Sequence, residues 1–299
     1  MKIFDSHIHS IAERIYPEEL LEKMAAAGVY GGSVFSPKSD GCTANGEPYE
    51  VRMACLKKWT EGYEGRLFPM LYIHPDEDGA AEKAKDAVSR GVMGFKITCD
   101  NFYPYEDKCL DLMTAIAETG KPVMFHSGIL WNGRDSSKYN RPVHFEALVE
   151  IPKLRFSLAH CSWPWYDECI ALYGKFLNAY VSNPNAAAEL FLDLTPGTPI
   201  IYRFDLINKL LNSGYDTPHN LMFGTDCTAN TYNTPWTKSW IERDTKIMDE
   251  IGASKKIQEM YLGENYLRFL GLTEKNFQHI MPVPDRADAW SLEYANATL

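Results

Sequence analysis

Short apolar runs recur about eight times along the chain, and the stretches between them carry apolar residues at helical spacing. The runs fall near residues 2–9, 29–36, 67–73, 92–98, 122–126, 154–160, 177–182 and 221–226. The segments between them begin and end as helices do. Pro17, Glu18 and Glu19 open a helical run that stops at Gly28. Leu110, Met113, Ile116 and Ala117 share one face of a run that ends at Gly120. Phe204, Ile207, Leu210 and Leu211 repeat that pattern before Gly214. Strands alternating with helices imply a parallel sheet, and eight repeats favour a closed (β/α)8 TIM barrel over an open sheet. No GxGxxG follows the first run, which weakens a dinucleotide-binding alternative. No Pro/Gly/Ser linker divides the chain. Residues 1–299 therefore read as one barrel domain with a C-terminal helical extension. From about 273 to 299 the extension is a tail that either caps the barrel bottom or packs on another subunit.

Five of the runs finish in a residue of metal-ligand type: His7 and His9, Lys96, His126, His160 and Asp226. Catalytic groups of such barrels stand at the carboxyl ends of the strands. Strict alternation along the first run puts Ile3, Asp5, His7 and His9 on the barrel interior and turns Phe4 and Ile8 to the helices. Two imidazoles two residues apart can chelate one divalent ion. Asp5, one layer deeper, is placed to hydrogen-bond a ligand histidine and fix its tautomer. Three buried polar groups on one face are costly unless paired or metallated. His126 joins this set as a ligand. His160 is either a further ligand or an imidazole that polarises the substrate. Asp226 is either a helix cap or a weak ligand that takes a proton from metal-activated water.

Composition narrows the partners. The 299 residues carry a formal net charge of −10 with no basic block, against nucleic acid or an anionic membrane as the main partner. No apolar run approaches the length of a membrane span, and no secretory signal precedes the first strand. The seven cysteines form no CxxC pair and read as reduced thiols of a cytoplasmic protein. A small-molecule substrate and a possible homodimer complete the expected partners. Long loops after the fifth and eighth strands lie over the active face. The first of them offers Arg134, Arg141 and Trp131 as substrate contacts, beside Arg14, Lys38, Trp163 and Trp165 at the rim; each of these cations taken singly is more often a solvated surface charge. His74, after the third strand, reads as an exposed loop histidine.

Asp5-Ser6-His7-Ile8-His9, Phe125-His126, Ala159-His160 and Gly224-Thr225-Asp226 together resemble the signature of the amidohydrolase superfamily. The late Gly263-Glu264-Asn265-Tyr266-Leu267-Arg268-Phe269 is similar to the C-terminal helix of its amidohydrolase-related (amidohydrolase 2) branch of hydrolases and decarboxylases. The resemblance spans residues 1 to about 272. It implies His7, His9, His126 and Asp226 around one divalent ion, zinc first and manganese as an alternative, with His160 adjacent. It leaves Lys96 as a carboxylated bridge to a second metal, a substrate contact or a structural ion pair. The activity implied is metal-dependent hydrolysis of an amide, ester or lactone bond in a small substrate, with or without a carboxylate. A non-oxidative decarboxylase or hydratase of an unsaturated or aromatic carboxylic acid is the alternative. A non-catalytic ligand-binding barrel is the reading from another class.

Overall fold

A computed structural model describes residues 1–40 and 46–273 of the chain. The tail with Trp290 and Tyr294 lies outside the described residues. Among the described residues nine parallel strands form one sheet: β1 (Ile3–His9), β2 (Val29–Phe35), β3 (Leu67–Tyr72), β4 (Gly94–Ile97), β5 (Val123–Phe125), β6 (Arg155–Leu158), β7 (Glu189–Asp193), β8 (Leu221–Met222) and β9 (Cys227–Thr228). The last two belong to one stretch. β8 pairs with β7, β9 pairs with β1, and the Asp226 N–H donates to the His7 carbonyl between them at 3.1 Å. Residues 221–228 thus close the TIM barrel, where a single strand over 221–226 was expected.

The connecting helices are α1 (Pro17–Ala26), α2 (Tyr49–Thr60), α3 (Ala80–Ser89), α4 (Asp107–Glu118), α5 (Tyr166–Ser182), α6 (Ile200–Asn212) and α7 (Thr234–Ile251). Their apolar faces cover the outside of the sheet. Ile116, Phe125, Phe156, Phe176, Leu192 and Ile207 belong to the largest buried cluster there. On α6 the buried positions are Arg203, Leu206, Ile207 and Leu210, whereas Phe204 is exposed, so the inward face is turned one position from the expected one. After α7 come α8 (Lys255–Glu259), a π-turn over Met260–Glu264, and α9 (Asn265–Phe269). Tyr266, Phe269 and Leu270 close the bottom of the barrel against Phe4, Phe68 and Phe191. The plug is this helical turn, ahead of the tail.

Two expectations about strands are corrected. The run over 177–182 is the last turn of α5, and the seventh strand is Glu189–Asp193. Cys169, Ile170, Leu172, Tyr173 and Phe176 are buried at helical spacing along α5, and the run continues that period to its ragged, half-exposed end. In β1 the alternation also fails. Asp5 pairs with Gly32 and Ile8 with Val34, so β1 carries one extra residue against two steps of β2. This bulge shifts the phase. Phe4 packs inside the barrel with Met70, Met124 and Met222, while Ile3 packs with the outer clusters. His7 and His9 still face inward beyond the bulge, each with its ring against Phe35.

Candidate metal centre

Above the methionine and phenylalanine floor, polar side chains from β1, β6 and the β8–β9 stretch converge. His7 Nε2 lies 3.2 Å from His9 Nε2 and 3.4 Å from Asp226 Oδ1, and His9 Nε2 lies 3.1 Å from the same oxygen. His7, His160 and Asp226 each offer a ligand atom within 4.8 Å of the others. His160 and Asp226 both sit at positive φ, and His160, Cys161 and Ser162 form a run of three such residues. Left-handed backbone at non-glycine residues costs energy and persists where surrounding structure imposes it. Gly197 makes room for the His160 ring: a Cβ there would sit 2.9 Å from His160 Cγ. Gly224 makes room for His7, whose Cβ would lie 2.8 Å from a Cβ added at that position.

A carboxylate orients the deepest ring. His7 Nδ1 is 2.8 Å from Asp193 Oδ2, at the end of β7. Asp193 Oδ1 accepts from the Thr195 N–H at 2.8 Å and from the Thr195 hydroxyl. A proton on His7 Nδ1 facing Asp193 leaves the Nε2 lone pair aimed at the centre. Asp5 was expected in this role and does not fill it. Its oxygens accept from the His7 and Thr225 backbone N–H groups, the Thr225 hydroxyl and the Tyr232 hydroxyl, tying β1 to the end of β8. Burial raises its carboxyl to about 7 against those four bonds. Asp193 was missed because its strand was placed too early. Its signal was present: Glu189-Leu190-Phe191-Leu192-Asp193 ends in a ligand-type residue before Pro196-Gly197, as the other runs do.

Burial drives the His7, His126 and His160 imidazoles below their ordinary pKa, so the rings are neutral and their lone pairs available. Burial acts in the opposite sense on Asp226, but the hydrogen bond from His9 leads the groups that hold the carboxyl below its ordinary range. His160 Nδ1 is buried with no hydrogen-bond partner among the described residues. Neutral imidazoles, one ionised carboxylate and an orphaned ring nitrogen form a donor set that suits a divalent ion. His126 stands one ring further out. Its ring meets His160 at 5.0 Å, and its Nε2 lies 3.2 Å from the Ile129 carbonyl.

A cavity of about 250 Å³ opens onto these groups, lined also by Tyr72, Lys96, Thr98, Trp131 and Trp163. Lys96 is buried inside it, its Nζ 5.3 Å from the centre of the Phe35 ring and without a hydrogen-bond partner among the described residues, and burial pulls its pKa down to about 8 against the pull of Asp193 and Asp226. It makes no ion pair within 4.0 Å among the described residues. Trp131 is 83% exposed at the mouth. Arg141 is not part of the cavity. It is paired with Glu168 at 2.8 Å and lies over Trp165, in a separate groove. His74 is buried rather than exposed: its Nδ1 accepts the Asp76 N–H, and its Nε2 faces Asn101 at 3.2 Å.

A family model described as amidohydrolase (Amidohydro_2) matches residues 5–272. The chain belongs to the amidohydrolase family. Solved structures agree with this amidohydrolase in fold. One is a protein described as a probable 2-pyrone-4,6-dicarboxylic acid hydrolase from Acinetobacter baumannii. It is 13% identical, with a TM-score of 0.60 over 91% of this chain and 100% of that one. An amidohydrolase 2 from Bifidobacterium longum subsp. infantis is 14% identical, with a TM-score of 0.57 over 91% and 100%. A dihydroorotase from Campylobacter jejuni is 13% identical, with a TM-score of 0.54 over 92% and 84%. No curated protein matches the sequence. The amidohydrolase is an enzyme, a hydrolase of this superfamily. No helix among its described residues is long and apolar enough to cross a membrane, and its six described cysteines are free.

Proposed function

We propose that this amidohydrolase cleaves an amide, ester or lactone bond of a small substrate with one divalent ion, zinc first. The observation that carries the reading is the convergence of His7, His160 and Asp226 within 4.8 Å, with His9 alongside. Those four residues would hold the ion, with His126 next to them. The bound ion supplies a Lewis acid for the substrate carbonyl and lowers the pKa of attacking water towards 7. Asp226 is the carboxylate of the set that the solvent reaches, with its side chain 38% exposed, and it accepts the proton from the attacking water. It then returns that proton to the leaving nitrogen or oxygen. Asp193 keeps the His7 ring fixed throughout. The Lys96 ammonium, buried and with no hydrogen-bond partner among the described residues, stabilises negative charge growing on the carbonyl oxygen.

Metal analysis of protein purified without added metal tests the centre. About one divalent ion per chain, lost in a His7→Ala/His9→Ala double variant, supports it; about two ions would make Lys96 a bridge. A screen of amides, lactones and carboxylic acids in ¹⁸O-water tests the reaction. Label in the product supports hydrolysis, whereas carbon dioxide release without label would replace it with decarboxylation.

A further inference from the structure

Beyond the polar centre the cavity continues into a recess of about 130 Å³ lined by Lys38, Tyr72, Thr98, Asp100, Leu130 and Arg134. Lys38, Tyr72, Thr98 and Leu130 line the central cavity as well, so the two spaces are one. The recess has an unusual charge for this molecule. The chain is strongly acidic, and Arg141, on the same long loop region as Arg134, is neutralised by Glu168. Lys38 and Arg134 have neither an ion pair nor a side-chain hydrogen bond among the described residues. Lys38 also stands near enough to Lys96 to disfavour its charge. Asp100 is the single acid among the described residues of the recess wall. His74 Nδ1 accepts the Asp76 N–H, so its Nε2 carries the proton and faces Asn101 Oδ1 at 3.2 Å; Asp100 Oδ1, 3.5 Å from the same nitrogen, has no hydrogen-bond partner among the described residues. Two cations against one carboxylate still leave the recess with a net positive charge.

Its walls are held in place. The Tyr72 hydroxyl bonds the Thr98 hydroxyl, and buried Arg52 donates to the Tyr72 carbonyl while paired with Glu77 at 2.5 Å. Asn132 Oδ1 accepts from the Arg134 N–H at 3.0 Å and the Ser136 hydroxyl at 2.8 Å, which fixes the loop bearing Arg134. A guanidinium fork, an ammonium and two hydroxyls around a small recess match the flat, two-oxygen geometry of a carboxylate.

We infer that the substrate is a carboxylate-bearing acyl compound, whose carboxylate lies in the recess between Lys38 and Arg134 while its reactive carbonyl lies at the polar centre. This rests on the acyl-hydrolysis reading of that centre. Lys38 and Arg134 then set specificity and take no part in the chemistry. The positive recess also draws anions towards a protein whose overall charge repels them.

The test is calorimetric titration of the zinc-loaded protein with succinamate, glutaramate and adipamate, each beside its diamide, and with glutarate beside 4-phosphonobutyrate. The same titrations are made with a Lys38→Ala/Arg134→Ala variant, whose altered side chains are exposed, with circular dichroism as a check on its fold. At least one monoamide, with its carboxylate for the recess, should bind about tenfold tighter than its diamide, from charge-assisted bonds lost in the diamide. That preference should fall to about one in the double variant. No preference in the wild type, or a preference that survives in the variant, overturns the subsite whatever the enzyme hydrolyses. Tighter binding of 4-phosphonobutyrate than of glutarate overturns the carboxylate and makes the recess a phosphate site. A preference abolished in the variant, in a protein that hydrolyses no amide, ester or lactone, would leave the subsite standing and remove the hydrolase reading. With a substrate in hand, the double variant should raise KM and leave kcat nearly unchanged.

Discussion

At the residue scale, the centre depends on two carboxylates with different work. Asp193 faces a ring nitrogen turned away from the centre, and Asp226 faces the cavity. Replacing Asp193 with Asn keeps the shape but removes the charge that fixes the His7 tautomer. Zinc affinity should fall about 10–100-fold, read by competition with a chromophoric chelator, with little change in the far-UV spectrum. Asp226→Asn should keep substrate affinity and lower kcat by about 10²–10⁴-fold. An unchanged kcat would remove Asp226 from the proton transfer. The ligand types at the strand ends were legible in the sequence because a histidine closing an apolar run is conspicuous. The identity of the orienting acid was not. Asp5 lies two residues from His7 along the chain, whereas Asp193 reaches it only when β7 stands across the barrel. A hydrogen bond spanning 186 positions leaves no local mark.

At the scale of elements, the strand ends were readable and their phase was not. Periodicity located β1, but it could not show that one extra residue between Asp5 and Ile8 turns Phe4 inward. The seventh strand was misplaced for a related reason: the end of α5 is apolar enough to imitate a strand, while Glu189–Asp193 is a short run flanked by acids. The glycines at the rim carry a sharper consequence. A Cβ at Gly224 would meet Thr195 Oγ1 at 2.5 Å and His7 Cβ at 2.8 Å. Gly224→Ala should therefore push His7 away from Asp193. Metal content should fall well below one ion per chain, while the melting temperature drops by only a few degrees, as for a change of about 1–2 kcal/mol. Metal content equal to wild type would show that the β8 end moves to accommodate the methyl group.

At the scale of the whole molecule, buried ion pairs brace the barrel wall beside the centre. Arg52 and Glu77 join α2 to the loop after β3. Burial raises the Glu77 carboxyl, but Arg52, the Ser39 hydroxyl and the His74 N–H together hold it below its ordinary value of about 4.5. A carboxyl held low in the folded state stabilises fully above its unfolded pKa, and that contribution disappears as pH falls through the folded value. Wild type should therefore lose urea resistance between about pH 5 and pH 3 more steeply than Glu77→Gln. The variant should start about 3–5 kcal/mol less stable at pH 7, because Arg52 is left buried without its partner. Parallel pH profiles for the two proteins would show that the pair contributes nothing to acid sensitivity.

The converging groups come from opposite ends of the chain: His7 and His9 from the first strand, His160 and Asp193 from the sixth and seventh, and Asp226 from the stretch that pairs with the first. None of these strands can bring its donors to the others until residues 221–228 have docked on β1. Ion capture by this centre is then a clock for barrel closure. A nascent or truncated chain ending before residue 220 has most of the ligands and nowhere to assemble them. Zinc uptake followed during refolding should lag behind the growth of helical signal and coincide with the last, slowest rise of native fluorescence.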